Sequence, residues 1–315
     1  MNIGNDVWGT GQWPSSSGAQ PGTPYAVELL YPSAPSLDAD RLAPRVRAFC
    51  PRVGATDVGG RPPVLFSHPD HLVTIDLISR HQDGSAAGAA PHDDRAPDDA
   101  QPAVPARTVV LPADRVTDVA ALHQSLSQTR DWDAAADALA RSTARVVVTD
   151  LMARDLPPRE RLALFESVLL GVIEAARPAA IHWRPAGKLV DPAAFLRASG
   201  SSELDALPQA AINVRLFRVA RTDRDLVMDT LGLAALGLPD LQVAFRGLDP
   251  ARVAGHLYAI ALYTLRHAGA LAAGDVIEGP TEGSEWTAHD ARAAVGPPRH
   301  VVGFDPGPDH SVRAA

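Results

Sequence analysis

The chain has 315 residues, 46% of them hydrophobic and only 5% aromatic, with 28 prolines and 24 glycines. That length buries one large core or two smaller ones, and the proline and glycine surplus predicts long irregular segments beside the folded part. A formal net charge of -8 and a single lysine, Lys188, argue against the basic surface that nucleic acid or anionic lipid requires.

Residues 1–23 are rich in Gly, Ser and Pro and read as a flexible arm carrying Trp8 and Trp13. They lack the basic start and apolar run of a signal peptide, and no run anywhere approaches the ~18 apolar residues of a membrane span. The expected compartment is therefore the cytoplasm. An N-terminal α/β unit is expected over 24–80. Its first strand is Tyr25–Tyr31, stopped by Pro32, and a helix runs from the capping candidates Ser36 and Asp38 to Phe49. Pro63–Phe66 and Leu72–Ile78 read as strands joined by the turn Ser67–His71. Cys50, the one cysteine, excludes an intrachain disulfide and reads as packing on the helix face.

From His81 to Ala106 the composition turns to Gly, Ala, Pro, Asp and His, with Val104 the one large apolar residue. Nothing there repays the entropy of ordering, so the segment reads as a disordered insertion between two folded units. A central region over 107–220 follows. It contains the strand Arg107–Leu111, helical runs near Val119–Thr129 and Asp131–Arg141, and the buried strand Ala144–Asp150. A helix from Pro157 and Pro158 to Ala176 leads into the strand Ala179–Trp183, and a short helix starts at Asp191 and Pro192. Strand, helix, strand is compatible with a parallel crossover. The C-terminal part, 221–304, brings the strand Asp225–Asp229, a shaped turn over Asp229–Gln242 with Gly232, Gly237 and Pro239 at fixed offsets, and the strand Leu241–Phe245. After them come a periodic helix from Asp249 to His267 and a last strand near Arg299–Phe304. Residues 305–315 read as a flexible tail.

Several constellations carry chemistry on paper. His68-Pro-Asp-His71 offers two imidazoles and a carboxylate, but Pro69 breaks any helical ligand spacing and a self-bonded turn explains it equally well. There is no Gly-x-Ser-x-Gly elbow and no phosphate loop ending in Gly-Lys. No motif calls for a cofactor or a metal. His182, Trp183 and Lys188 fall at a strand's C-terminal end and the loop after it, where open α/β sheets place ligand groups. Asp229 and Asp240 flank the shaped turn. These five are the candidate binding residues, each weighed against core packing, capping and turn roles; no catalytic residue is assigned.

The run Asp229–Gln242, the helix after it, Gly274-Asp275 and Pro297-Pro298-Arg299 together resemble the bacterial domain of unknown function 4261. Trp132, Val146–Leu151, Glu160–Phe165 and Ala180–Trp183 through Pro192 are similar to the longer proteins that carry this domain at their C-terminus. The resemblance implies no activity and no catalytic residues; it implies an association with bacterial secretion and toxin–immunity loci. The expected fold is α+β, two small α/β sandwich units with mixed or antiparallel sheets and the disordered insertion between them. The expected function is a non-catalytic cytoplasmic adaptor with a protein partner, immunity-like or accessory to a toxin or secretion system, its acidity suited to a basic partner surface. The alternative is an enzyme or small-ligand binder using the His182/Lys188 loop and the Asp229–Asp240 turn.

Overall fold

The computed structural model describes residues 25–74, 103–116, 118–130, 132–199, 206–220, 222, 224–267 and 271–312. The arm expected at 1–23 and most of the expected insertion lie outside them.

A first, larger sheet is built from β1 (Ala26–Tyr31), β2 (Gly54–Thr56), β3 (Val64–Thr74), β4 (Ala103–Val110), β5 (Asp114–Arg115), β6 (Ala144–Leu151), β7 (Ala180–Trp183) and β8 (Lys188–Val190). Interleaved with these strands are α1 (Ala39–Phe49), α2 (Val119–Ser127), α3 (Ala135–Ala140) and α4 (Pro158–Ala176), and α5 (Pro192–Ser199) follows β8. The second sheet contains β9 (Asn213–Arg218), β10 (Leu226–Leu231), β11 (Asp240–Phe245), β12 (Val276–Glu278), β13 (Glu285–Arg292) and β14 (His300–Asp305). The helix α6 (Ala206–Ala211) precedes it, and α7 (Pro250–Arg266) follows β11. The protein is thus α+β with two separate sheets.

The larger sheet runs β2-β3-β4-β6-β1-β7-β8, with β5 also beside β6, and neighbours are antiparallel throughout. β1 lies between β6 and β7 and is buried on both faces: Val27 and Leu29 join the core under α1 and α4, and Leu30 packs with Leu122, Ala135 and Ala180. β6 and β7 therefore run parallel to each other, as the crossover through α4 requires, but β1 separates them. Asp38 starts α1 by accepting the Arg41 N–H at 2.7 Å, and Pro158 opens α4 at the position where a missing N–H costs nothing. Where α4 crosses α1 the backbones nearly touch. A Cβ on Gly171 would lie 2.5 Å from Val46 Cγ2 and 2.7 Å from its backbone nitrogen.

Two expectations are corrected here. The turn Ser67–His71 is not a turn between two strands. β3 continues through it with a register shift against β4 between His68 and Leu72, since Pro69 has no N–H to give the ladder. The seam between the sheets also falls later in the chain than the His81–Ala106 segment. β3 and β4, which flank that segment, are paired neighbours in one sheet, and β4 already begins at Ala103.

The smaller sheet runs β12-β13-β14-β11-β10-β9, antiparallel except for β11 and β14. α7, capped by Asp249 with Pro250 in its first turn, buries Val253, Leu257, Ala261 and Leu265 against Leu241, Val243, Phe245 and Phe304. One apolar core is continuous from α1 and α4 to α7. The expected flexible tail folds back as far as it is described: Arg246 N–H bonds the His310 carbonyl at 2.9 Å and Ser311 bridges Phe245. Among the described residues no helix is long and apolar enough to cross a membrane.

Candidate functional site

The shaped turn leaves β10 at Gly232, whose φ of 132° suits glycine, and where a Cβ would lie 2.0 Å from the Ala211 carbonyl oxygen. A single 3-10 turn, Leu233–Leu236, puts Leu233 and Leu236 into the shared core. Asp240 closes the loop from below. Its Oδ1 accepts the Leu233 N–H at 3.0 Å and the Thr230 hydroxyl at 3.2 Å, and Thr230 Oγ1 in turn accepts the Leu241 N–H at 2.9 Å.

The two acids of this turn meet two arginines that were not among the candidate binding residues, although Arg299 belongs to the Pro297-Pro298-Arg299 motif of the resemblance. Asp229 faces Arg215 across the β9–β10 ladder and accepts from its Nε at 2.9 Å and its Nη2 at 2.5 Å. Arg299, at the entry to β14, donates from Nη2 to Asp229 and from Nε to Asp240, both at 2.8 Å. Both arginines also bond carbonyls: Arg299 those of Thr230, Val295 and Pro297, and Arg215 that of Gly296. With the Ala294 N–H on Gln242 Oε1 at 2.7 Å, the loop between β13 and β14 is strapped over these charges. Both carboxylates are 0% exposed, so each has matched charge and no route to a ligand. Burial, the largest influence on Asp240, raises its carboxyl above the usual range, against the lowering effects of Arg299 and the Leu233 amide.

His182 sits on β7 with both ring nitrogens engaged, Nδ1 with Glu28 at 2.8 Å and Nε2 with the Ser125 hydroxyl at 2.9 Å. Serine, imidazole and carboxylate in line have the order of a hydrolytic triad. Ser125, however, lies inside α2 at 4% exposure, where the following amides belong to the helix ladder and form no oxyanion hole. The array instead ties α2 to β1 and β7. Burial works against the Glu28 carboxylate, but the His182 hydrogen bond and the charges of His182, Arg184 and Arg145 outweigh it and hold its pKa below the ordinary value. Trp183 is fully buried among Phe165 and Phe195, its Nε1 donating to the Tyr25 hydroxyl at 2.7 Å.

Next to it, Asp150 on β6 accepts the Tyr25 N–H at 2.7 Å and pairs with Arg161 of α4. Arg161 Nη1 reaches the Ala235 carbonyl of the shaped turn at 3.1 Å. The turn thus docks at the end of the larger sheet where β6 finishes and β1 begins.

Lys188 is placed differently. Its ammonium donates to the carbonyls of Gln209 and of Ile212, the latter at 2.9 Å, at the end of α6. It also lines a cleft of about 550 Å³ between β8, α5 and β9, walled by Trp132, Phe195 and Tyr258, with Arg130 and Asn213 beside them. His182, Trp183, Asp229 and Asp240 do not line this cleft. Trp132, Tyr258 and Asn213 come from three distant elements, and no spacing in the chain announces their meeting.

The His68–His71 segment splits its two imidazoles. His68 is buried, 3.2 Å from Thr108 Oγ1 and 3.9 Å from Cys50 Sγ, and burial with the neighbouring His71 pushes its pKa down to about 4. His71 pairs with Glu160, and Asp70 with Arg52 at 2.9 Å. Burial also raises the Cys50 thiol, so the Cys50–His68 contact favours two neutral groups rather than a reactive ion pair. Among the described residues no cluster of His, Cys, Asp and Glu is arranged to hold a metal ion.

Comparison with curated proteins and with solved structures gives no match. Residues 229–304, from the first acid of the shaped turn to the end of the last strand but one residue, match the domain of unknown function DUF4261.

Proposed function

We propose that the protein is a non-catalytic adaptor whose partner engages the cleft between β8, α5 and β9. One observation carries the reading: His182, Ser125, Asp229 and Asp240 are tied up in internal pairs away from the cleft, while the cleft presents aromatic walls and amides with Arg130, Lys188 and Asp191. The ion-paired Asp229, Asp240 and Arg299 all lie within the matched segment, and they support the reading as a rigid base for the β9 edge. A place beside a bacterial toxin or secretion system, immunity-like or accessory, follows from the resemblance of the C-terminal part. The test is calorimetric titration against the products of the genes flanking its own. Wild-type protein binds one of them, and Ala194→Arg, an exposed cleft position on α5, weakens that binding about tenfold, or ~1.4 kcal/mol. Absence of binding to every flanking product ends this reading.

A second reading has one observation in its favour. The cleft volume falls within the range of small-molecule sites, and Lys188 lies in its wall. A small ligand that saturates the cleft and leaves flanking gene products unbound would favour it.

A further inference from the structure

Sheet edges are where a folded chain offers unpaired backbone, and proteins normally guard them. Most edges here are guarded. β2, β8 and β12 are three residues each, and the outward N–H of Leu189 in β8 is taken by Thr129 Oγ1 at 2.9 Å. Beyond β2, the outer edge of β3 carries Pro69 and the register shift. Beyond β12, β13 bonds Gly274 and Asp275. β9 differs. Among the described residues its six residues pair with β10 alone, in unbroken register, with no proline and no bulge. Val214, Leu216 and Phe217 along it are only half-buried.

The surroundings of this edge bear on what fits it. Its first residues, Asn213 and Val214, form one wall of the cleft, so edge and cleft are continuous. Exposed Arg218 and Arg224 stand at the far end, and exposed Arg130 with Lys188 at the cleft end. The acid in the cleft wall, Asp191, is occupied in capping α5 through the Ala193 N–H at 2.9 Å and faces Arg197 at 3.9 Å. In a chain of net charge -8 this strip is locally cationic, opposite to what the average charge suggests about partners. A second copy is the wrong occupant: antiparallel pairing of two β9 edges brings Arg218 and Arg224 of one toward Arg130 and Lys188 of the other.

We propose that β9 and the cleft form a docking groove for an extended, acidic segment of a partner protein, which adds as a strand to β9 and seats an apolar side chain between Trp132 and Phe195. Backbone bonds supply affinity in this mode, and the pocket with the flanking arginines supplies selectivity. The proposal rests on the adaptor reading, whose own test is the titration of flanking gene products.

The probe is a blocked peptide of alternating Glu and Val, matched in length to β9, with a Lys and Val peptide as control. Residue-resolved amide exchange is measured on the full chain. The expected result is slowed exchange at alternate amides of Val214–Arg218 with the Glu peptide, at least tenfold weaker with the Lys peptide, and reduced by salt. The double variant Arg218→Glu with Arg224→Glu, both exposed, loses about tenfold in peptide affinity with an unchanged melting curve. Val214→Pro and Leu216→Pro, each removing one strand N–H from β9, abolish the protection wherever the full chain keeps its melting transition. The idea is overturned by unchanged exchange in β9, by equal protection from both peptides, or by a dimer mass in light scattering with β9 already protected. If a flanking product binds and the arginine variant leaves that affinity untouched, the groove is refuted and the adaptor reading survives.

Discussion

At the scale of single residues, the charged groups that looked most like a site are the ones most deeply built into the fold. Arg299 shows how much hangs on one side chain, because it is shared by Asp229, Asp240 and three carbonyls. Arg299→Met removes that cation and leaves a buried carboxylate unmatched, and the expected loss is about 3–5 kcal/mol in urea unfolding. Arg299→Lys restores the charge but not the fork, and recovers only part of it. His68 gives the pH prediction. Its pKa falls from about 6.5 unfolded to about 4 folded. The stability it contributes is complete above the unfolded value and is lost as pH drops through that window. The stability difference between wild type and His68→Gln is expected to shrink on acidification by up to about 1.4 kcal/mol per pH unit over the window, read by urea unfolding at stepped pH. Asp229 and Asp240 stood out in the sequence by their offsets from glycine and proline. Their pairing with Arg215 and Arg299 did not, since Arg215 lies on β9 and Arg299 just before β14, and they become neighbours only through β9–β10 and β11–β14 pairing. The same holds for Glu28 and Ser125 around His182.

At the scale of elements, apolar periodicity and caps were enough to find α1, α4 and α7 and the strands β1, β6, β7 and β11 near their observed limits. What escaped was weakly patterned. β13 shows Trp286 and Ala288 alternating with polar residues, and β8 and β2 are too short to carry a period. β3 misled for a physical reason, as Pro69 is a turn signal that a bulge also satisfies. Gly171 supplies a test at this scale. Alanine there gains up to about 1 kcal/mol of helix propensity, yet its Cβ would strike the Val46 backbone, which cannot swing aside. Overpacking of this kind costs about 1–3 kcal/mol, so Gly171→Ala is expected to lower the melting temperature. An unchanged or higher value would mean that α1 slides freely on α4.

For the whole molecule, a chain whose sequence suggested separable units has one core running through both sheets. Leu233 and Leu236 belong to it as fully as Phe165 and Trp183 do, and Arg161 holds Asp150 on one side and the Ala235 carbonyl on the other. A fragment of residues 206–312, although it contains every strand of the smaller sheet, exposes those leucines and the side of α7 that meets α4. Its thermal unfolding is expected to be broad and non-cooperative, whereas the full chain melts in one step. A sharp transition for the fragment would show two independent folding units. Strand order was not legible because pairing partners lie far apart in the chain, and the composition break at His81–Ala106 marks no boundary between sheets.

The central place of β1 has a consequence for how the protein is made. Ala26–Tyr31 leaves the ribosome well before its ladder partners, Ala144–Thr149 on one side and Ala180–His182 on the other. More than a hundred further residues must be translated before either exists. At roughly 5–20 residues per second that is a wait of several seconds or more for an uncovered apolar hexamer. During synthesis, this segment stays unpaired longer than a hairpin strand would, and is exposed to misassembly for that time.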